Sequence, residues 1–177
     1  MEIPITIGIS ACLLGQNTRY DGGNRHEPLL VEALARSVTL VPLCPEAESG
    51  LGIPREPMRL EGDPDNPKLL TIITRRDLTA PIQAWGARQL DSLVAGGLAG
   101  LVLKARSPSC GRQVAVHGQG AGETATACSP GLFARLAMAR LPGLPIADEE
   151  ELRDPDRLAD FLKRLAANEQ NKQENQQ

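Results

Sequence analysis

Four cysteines are the residues of this chain with the widest range of possible chemistry. They stand at positions 12, 44, 110 and 128, and the separations between them are 32, 66 and 18 residues. Zinc ribbons and thioredoxin-like sites place two cysteines within a few residues of each other on a tight turn. The chain has no such pair, so its sequence supports neither kind of motif.

Three of the cysteines come soon after short apolar runs that predict buried strands. These are Cys12 in SACLLG, Cys44 in PLCPE and Cys110 in SPSCG. In an open parallel sheet, the carboxyl ends of the strands form the crevice that binds ligands. If the sheet is parallel, we expect the three thiols to converge there. Cys128 has no reactive neighbour, and each of the four also fits the ordinary role of a small buried hydrophobe.

Three convergent thiolates favour two kinds of metal site, because soft thiolate ligands select zinc or iron-sulfur centres. A zinc site would need a histidine to complete it, and the chain offers only His26 and His117. We expect His26 to be an exposed residue at a helix start and His117 to end a strand. An iron-sulfur cluster with three cysteine ligands would instead keep one iron open to act as a Lewis acid. The residues alone leave both alternatives open.

The elements that position these thiols alternate between strands and helices. Strands are predicted over 3–9, 38–43, 69–74 and 101–104, and helices over 28–36 and 80–95. Two further helices are predicted to start at Ser129-Pro130 and Asp154-Pro155, because a cap residue before a proline is typical of a helix start. Parallel neighbours need a crossover, which is usually a helix. The predicted fold is therefore α/β, a Rossmann-like three-layer fold with a mostly parallel sheet.

Length and tail composition predict the domain organisation. The chain has 177 residues and 41% hydrophobic residues, within the range of one globular domain. Its last ten residues, NEQNKQENQQ, include seven Asn or Gln and no apolar residue. We predict a single domain over 1–167 and a disordered polar tail over 168–177. The Pro- and Gly-rich stretch 45–67 is expected to form one long loop, and long loops are often functional.

Composition and charge exclude several classes of function. The formal net charge is -3 and the chain has only four aromatic residues. A dedicated nucleic-acid-binding module is disfavoured, because such modules need a basic patch or several stacking rings. The amino terminus lacks the positive residue of a signal peptide, and no apolar run reaches the roughly 18 residues of a membrane span. We expect a cytoplasmic protein without a membrane partner, and the sequence leaves its oligomeric state open.

Six ordered motifs carry a resemblance to a known family. They are SACLLG (10–15), RYDGG (19–23), CPE (44–46), GLGIPREP (50–57), LKARSPSCG (103–111) and a Gly-rich segment (118–122). Together they resemble the thiouracil desulfurase (TudS) family, over about residues 3 to 149. The resemblance implies a [4Fe-4S] cluster with three cysteine ligands, Cys12, Cys44 and Cys110, and one open iron.

The resemblance also implies a reaction and a substrate. The expected function is an iron-sulfur-dependent desulfidase that converts thiouracil and water to uracil and hydrogen sulfide without electron transfer, with the open iron binding the substrate sulfur. The partner is then a small thiolated pyrimidine or its nucleotide. The alternatives are a non-catalytic iron-sulfur or zinc binding module and a cysteine-nucleophile hydrolase, which would need a histidine near a thiol. The GxGxG at 118–122 makes only a weak case for NAD binding, since no helix is predicted after it.

Within that reaction, two residues are the catalytic candidates. Glu46 is expected to act as acid and base, since it stands two residues after Cys44. Ser109 is expected to hold the uracil carbonyl or the attacking water. The candidates for substrate binding are Ser107, Asp21, Arg19, Arg55 and Arg112.

Overall fold

The computed structural model describes residues 5–120 and 124–174. The strands are β1 (Thr6–Ser10), β2 (Thr39–Leu43), β3 (Met58–Glu61), β4 (Lys68–Thr71), β5 (Leu98–Leu103), β6 (Val114–His117), β7 (Ala125–Ser129) and β8 (Ile146–Asp148). The helices are α1 (Pro28–Ala35), α2 (Thr79–Ala95), α3 (Leu132–Arg140), α4 (Glu149–Leu152) and α5 (Pro155–Glu174). Short helical turns cover Ala11–Leu14 and Ala47–Leu51.

A parallel sheet of four strands forms the centre of the fold. Its order is β2-β1-β5-β8, and every neighbouring pair is parallel. β5 reads LAGLVL and is buried along its whole length, as a central strand covered on both faces should be. The predicted α/β class with a mostly parallel sheet is confirmed.

Helices cover both faces of this sheet. On one face, Val102 of β5 belongs to the same core cluster as residues of α1 and α5. On the other, Leu101 and Leu103 pack in a cluster with residues of α2 and α3. This division follows from the alternation of side chains along a strand. Gly100 lets α5 approach closely, because a Cβ there would clash with the side chain of Leu165.

A second sheet, in the order β4-β3-β6-β7, was only partly predicted. β3 and β6 are parallel, and the two outer pairs are antiparallel. The expected long loop over 45–67 is wrong, since this stretch contains the turn Ala47–Leu51 and β3. β3 reads MRLE and ends in a buried glutamate, so it lacks the apolar pattern of a strand. The predicted strand over 69–74 also ends early, at Thr71.

The helix starts and the C-terminal segment agree with the predictions only in part. Asp154 caps α5 as predicted, because its Oδ1 accepts the amide of Asp156 at 2.8 Å. Ser129 is wrong as a cap, since it ends β7 and Gly131 is the cap of α3. Residues 168–174 were expected to be disordered but continue α5.

Polar side chains explain this longer helix. Asn168 Nδ2 donates to the carbonyl of Ala99 at 3.0 Å, and Lys172 Nζ donates to the carbonyl of Leu98. The end of α5 therefore docks on β5 by hydrogen bonds instead of apolar burial. Residues 175–177 of the expected tail and 121–122 of the Gly-rich segment lie outside the described residues. Within the described ranges, no helix is both long and apolar enough to cross a bilayer.

Candidate metal centre and active site

A cavity of about 390 Å³ opens where β1, β2 and β5 end. Cys12 and Cys44 line it from the segments that follow β1 and β2, and Cys110 lines it from the loop after β5. The three strands are parallel neighbours, so their carboxyl ends lie at one edge of the sheet. The predicted convergence of the three thiols is therefore present in the structure.

The three sulfurs influence one another electrostatically. Burial, followed by the nearby Cys44, raises the pKa of the Cys12 thiol to about 11, while Lys104 and Arg19 act in the opposite direction. Burial also raises the pKa of Cys110 well above its ordinary value, again with Cys44 as the next cause. Burial outweighs the two cations, so in the absence of a bound metal centre the thiols of Cys12 and Cys110 stay protonated at neutral pH.

The sulfur of Cys44 makes two hydrogen bonds with the backbone. Its sulfur accepts a hydrogen bond from the amide of Ala47 at 3.5 Å and donates to the carbonyl of Thr18 at 3.8 Å. Its own amide donates to Glu48 Oε1 at 2.7 Å, which fixes the turn that follows β2. An amide pointed at sulfur stabilises a thiolate, which suits a metal ligand.

Cys110 is held by a loop that docks on the start of α3. The amides of Leu132 and Phe133 donate to the carbonyls of Pro108 and Ser109 at 3.2 and 2.9 Å. Gly131 permits this contact, because a Cβ there would stand 2.7 Å from the carbonyl carbon of Ser109. The free amides of a helix start thus hold the SPSCG segment in place.

Three soft thiols on one cavity wall are donors of the kind that bind an iron-sulfur cluster. Among the described residues, no three His, Cys, Asp or Glu side chains are grouped closely enough to hold one ion. A cluster takes one thiolate per iron, so its ligands stand further apart than those of a single ion. Neither histidine lies on the described cavity wall, since His26 is exposed beside Gly15 and His117 ends β6. A zinc site completed by histidine therefore finds no support here.

Glu46 is the carboxylate on the cavity wall. Its Oε1 accepts a hydrogen bond from Ser109 Oγ at 3.0 Å. Its Oε2 accepts two from Arg55, at 2.9 Å from Nε and 2.6 Å from Nη2. The Glu46 and Arg55 side chains are 12% and 6% exposed, so this is a largely buried ion pair. Such an ion pair can fix the position of the carboxylate even where it adds little to the free energy of folding.

The model of the 2-thiouracil desulfurase family matches residues 7–149. That span includes all three cavity cysteines, Glu46 and Ser109. The chain belongs to the 2-thiouracil desulfurase family.

Two further comparisons agree with this family. A solved structure of the [4Fe-4S]-dependent thiouracil desulfidase TudS is 28% identical to the chain, covers 88% of it and 97% of its own length, and has a TM-score of 0.71. YbbK of Bacillus subtilis (strain 168), an uncharacterized protein, is 26% identical over 151 residues, covering 82% of this chain and 97% of YbbK.

The structure of this desulfurase-family chain brings most of the predicted residues together. The wall of the cavity includes Cys12, Cys44, Cys110, Glu46, Ser107, Arg19 and Arg55. Ser109 is fully buried and is not one of the described residues that line the cavity. It nevertheless contacts Glu46. Ser107 Oγ accepts the amides of Ser109 and Cys110 at 3.3 and 3.1 Å, so it also shapes the loop.

Two predicted substrate-binding residues lie off this wall. Arg112 forms an ion pair with Glu151 of α4. Asp21 accepts the amide of Gly23 at 3.0 Å and pairs with Arg19 at 3.4 Å, so it supports the loop that carries Arg19. Cys128 is exposed on β7, in the second sheet. For these residues the motif could be read from the sequence, but the direction of the side chain could not.

Lys104 is a wall residue that the sequence analysis did not single out. It follows β5 directly, and its Nζ forms an ion pair with Glu149, which is 1% exposed. The second oxygen of Glu149 accepts the amide of Ala105 at 2.7 Å. The same rule that selected the cysteines, a position just past the end of a parallel strand, would have found it.

Proposed function

We propose that this protein is an iron-sulfur-dependent desulfidase that acts on thiolated uracil bases or nucleotides. In the net reaction, water replaces sulfur on the pyrimidine carbon, and thiouracil plus water become uracil plus hydrogen sulfide with no change in electron count. Membership of the desulfurase family and the likeness to the [4Fe-4S]-dependent TudS support this function. The observation that carries it is the meeting of three thiols and one carboxylate in a single cavity.

Cys12, Cys44 and Cys110 are the residues that would hold a [4Fe-4S] cluster. With three cysteine ligands, such a cluster has one open iron that supplies a Lewis acid and a soft binding position for the substrate sulfur. Burial raises the pKa of Cys12 and of Cys110, so deprotonation of these two ligands would depend mainly on the positive charge that a bound cluster supplies. Lys104 and Arg19 lower the pKa of Cys12 against this larger effect, and the amide of Ala47 reaches the sulfur of Cys44.

Glu46 is the proposed acid and base. Arg55 holds its Oε2, which leaves Oε1 as the atom that exchanges a proton. Ser109 donates to that oxygen at rest. A hydroxyl rotates freely and can also accept, so Ser109 can hold Oε1 in place in either protonation state of the carboxyl group.

The rest of the wall suits a small, planar, polar ring. Tyr20 and Met58 contribute apolar surface, while Arg19 and Lys104 contribute cations. A uracil ring has carbonyl oxygens that accept hydrogen bonds from such donors, and a nucleotide would add an anionic phosphate. Both forms of the substrate are compatible with this wall.

The test is sulfide release by protein prepared without oxygen. We expect brown protein that absorbs near 400 nm, contains about four irons per chain as a [4Fe-4S] centre does, and releases sulfide from 2- or 4-thiouracil or the corresponding nucleotide. Protein stripped of iron is the control and should release none. Cluster-loaded protein that releases no sulfide from any of these compounds, or colourless protein with one zinc per chain, would contradict the proposal.

A further inference from the structure

The guanidinium of Arg55 is almost fully occupied by contacts within the chain. It has five N–H groups, and four of them make hydrogen bonds: Nε and one Nη2 hydrogen to Glu46 Oε2, the second Nη2 hydrogen to the carbonyl of Thr18, and one Nη1 hydrogen to the carbonyl of Gly52. A single Nη1 hydrogen remains. Arg55 therefore lacks the pair of parallel donors with which arginine grips a phosphate or carboxylate of a ligand.

These bonds join three separate segments around the cavity. Thr18 follows the turn after β1, Glu46 follows β2, and Gly52 precedes Arg55 in the stretch that leads to β3. The distances from Arg55 to the carbonyls of Thr18 and Gly52 are 2.9 and 3.0 Å. The carbonyl of Thr18 also accepts from the sulfur of Cys44 at 3.8 Å. One side chain thus links the acid/base candidate to the segment that contacts a proposed cluster ligand.

Arg55 also decides which oxygen of Glu46 is available. Both of its bonds to the carboxylate end on Oε2, at 2.9 and 2.6 Å, and Oε1 is left to Ser109 at 3.0 Å. Without the guanidinium, the carboxylate is free to rotate about its last bond, because such terminal torsions are broad. The contact with Ser109 would then no longer be fixed.

We infer that Arg55 is a positioning residue for Glu46, holding Oε2 so that Oε1 stays on Ser109, and is not a substrate-binding residue. This inference rests on the proposed function for its kinetic part. It predicts an effect on kcat with little effect on KM, because an interaction that serves only the reacting carboxylate does not contribute to substrate binding.

The experiment compares Arg55→Gln, Arg55→Lys and Glu46→Gln with wild type, and uses Arg140→Gln as the matched control. Arg140 pairs with Asp91 on the surface, away from the cavity wall. For Arg55→Gln we expect kcat to fall by about 10²-fold, which is the low end of acid/base effects, with KM within about threefold and iron content unchanged. Arg55→Lys keeps the charge and should recover part of kcat.

A double variant separates positioning from an independent role. If Arg55 acts through Glu46, adding Arg55→Gln to Glu46→Gln should lower kcat by less than about twofold further, since residues that act as a unit are not additive. If Arg55→Gln lowers kcat as much in the Glu46→Gln background as it does in wild type, the inference is overturned. A raised KM at unchanged kcat, or activity equal to that of Arg140→Gln, would also overturn it. If Arg55→Gln does not fold, Arg55→Lys carries the same comparison.

A structural measurement keeps this inference separate from the proposed function. Crystal structures should show the contact between Ser109 Oγ and Glu46 Oε1, 3.0 Å in this protein, retained in Arg140→Gln and lost in Arg55→Gln. If wild type releases no sulfide, the proposed function fails, but this distance still decides the role of Arg55. An unchanged contact in Arg55→Gln would overturn the positioning role.

Discussion

Ser109 Oγ donates a hydrogen bond to Oε1 of Glu46 over 3.0 Å, although 63 residues separate the two in the chain. Ser109 is fully buried, whereas Glu46 reaches the cavity wall. The hydroxyl therefore contacts the carboxylate without lining the cavity itself. This contact supports our proposal that Glu46 exchanges the proton and that Ser109 holds Glu46 in place.

Replacing Glu46 with Gln should stop turnover and leave the cluster in place. The amide cannot accept a proton as the carboxylate does, so we expect kcat to fall by about 10²- to 10⁴-fold. Iron content and the absorbance near 400 nm should match wild type.

Ser109→Ala should lower kcat by a smaller factor, of roughly tenfold, since it removes only the hydrogen bond that supports Glu46. Glu32→Gln is the control, because Glu32 pairs with Arg36 on the surface; turnover by Glu46→Gln equal to this control would remove Glu46 from the mechanism.

Each of the three cavity cysteines should be required for cluster binding. We expect Cys12→Ser, Cys44→Ser and Cys110→Ser to reduce bound iron to a small fraction of wild type and to remove sulfide release, because serine is a poor replacement for a soft thiolate ligand. Cys128→Ser is the matched control, since Cys128 is exposed on β7 and outside the cavity wall. Iron and sulfide assays measure the result. Loss of iron in Cys128→Ser alone would show that the ligands are wrongly assigned.

Gly131→Ala should disturb the loop that carries Ser109 and Cys110. The added Cβ would stand 2.7 Å from the carbonyl carbon of Ser109 and 2.8 Å from the carbonyl oxygen of Pro108, both of them backbone atoms. Overpacking of this kind costs about 1 to 3 kcal/mol. We expect a lower midpoint of urea unfolding and a lower kcat.

Gly96→Ala is the control for this effect. A Cβ at Gly96 would meet its nearest neighbour, the carbonyl oxygen of Ser92, at 3.4 Å, which is an ordinary contact. The midpoint of urea unfolding of Gly96→Ala should stay close to that of wild type. If Gly131→Ala behaves in the same way, the docking of the loop on α3 is not what positions Cys110.

The sequence was enough to predict the meeting of the three thiols. Cys12, Cys44 and Cys110 each follow a strand of one parallel sheet, and the rule that ligands bind at the carboxyl ends needs only the strand assignments. The partners of the arginines could not be predicted in this way. Arg55 and Arg112 both stand in or beside motifs that resemble the family, but only tertiary packing brings the first to Glu46 and the second to Glu151.

The second sheet shows a different limit of the sequence. β3 is short and ends in Glu61, a residue that pattern analysis assigns to the surface. In the structure Glu61 is 2% exposed and pairs with Arg59 and Arg75. Because Arg75 is 14 residues away in the chain, local sequence gives no sign that this charge is neutralised inside a sheet.

Glu61 should make the stability of the protein sensitive to acid. Its hydrogen bonds with Arg75, at 2.5 and 2.6 Å, and then the one with Arg59, at 2.7 Å, lower its pKa from 4.5 to about 2, against the opposing effect of burial. The folded state therefore binds this proton less readily than the unfolded state. The stabilisation is fully present above about pH 4.5 and is lost as the pH falls toward about 2.

Urea unfolding followed between pH values of about 5 and 2 measures this effect. The free energy of unfolding of wild type should fall with decreasing pH more steeply than that of Glu61→Gln, which cannot take up the proton. Glu61→Gln should also be the less stable protein at neutral pH, because it leaves two guanidinium groups without their carboxylate. Glu32→Gln, at an exposed ion pair, should keep the slope of wild type. Equal slopes for wild type and Glu61→Gln would show that the pair is not linked to folding, since the carboxyl group would then titrate alike in both states.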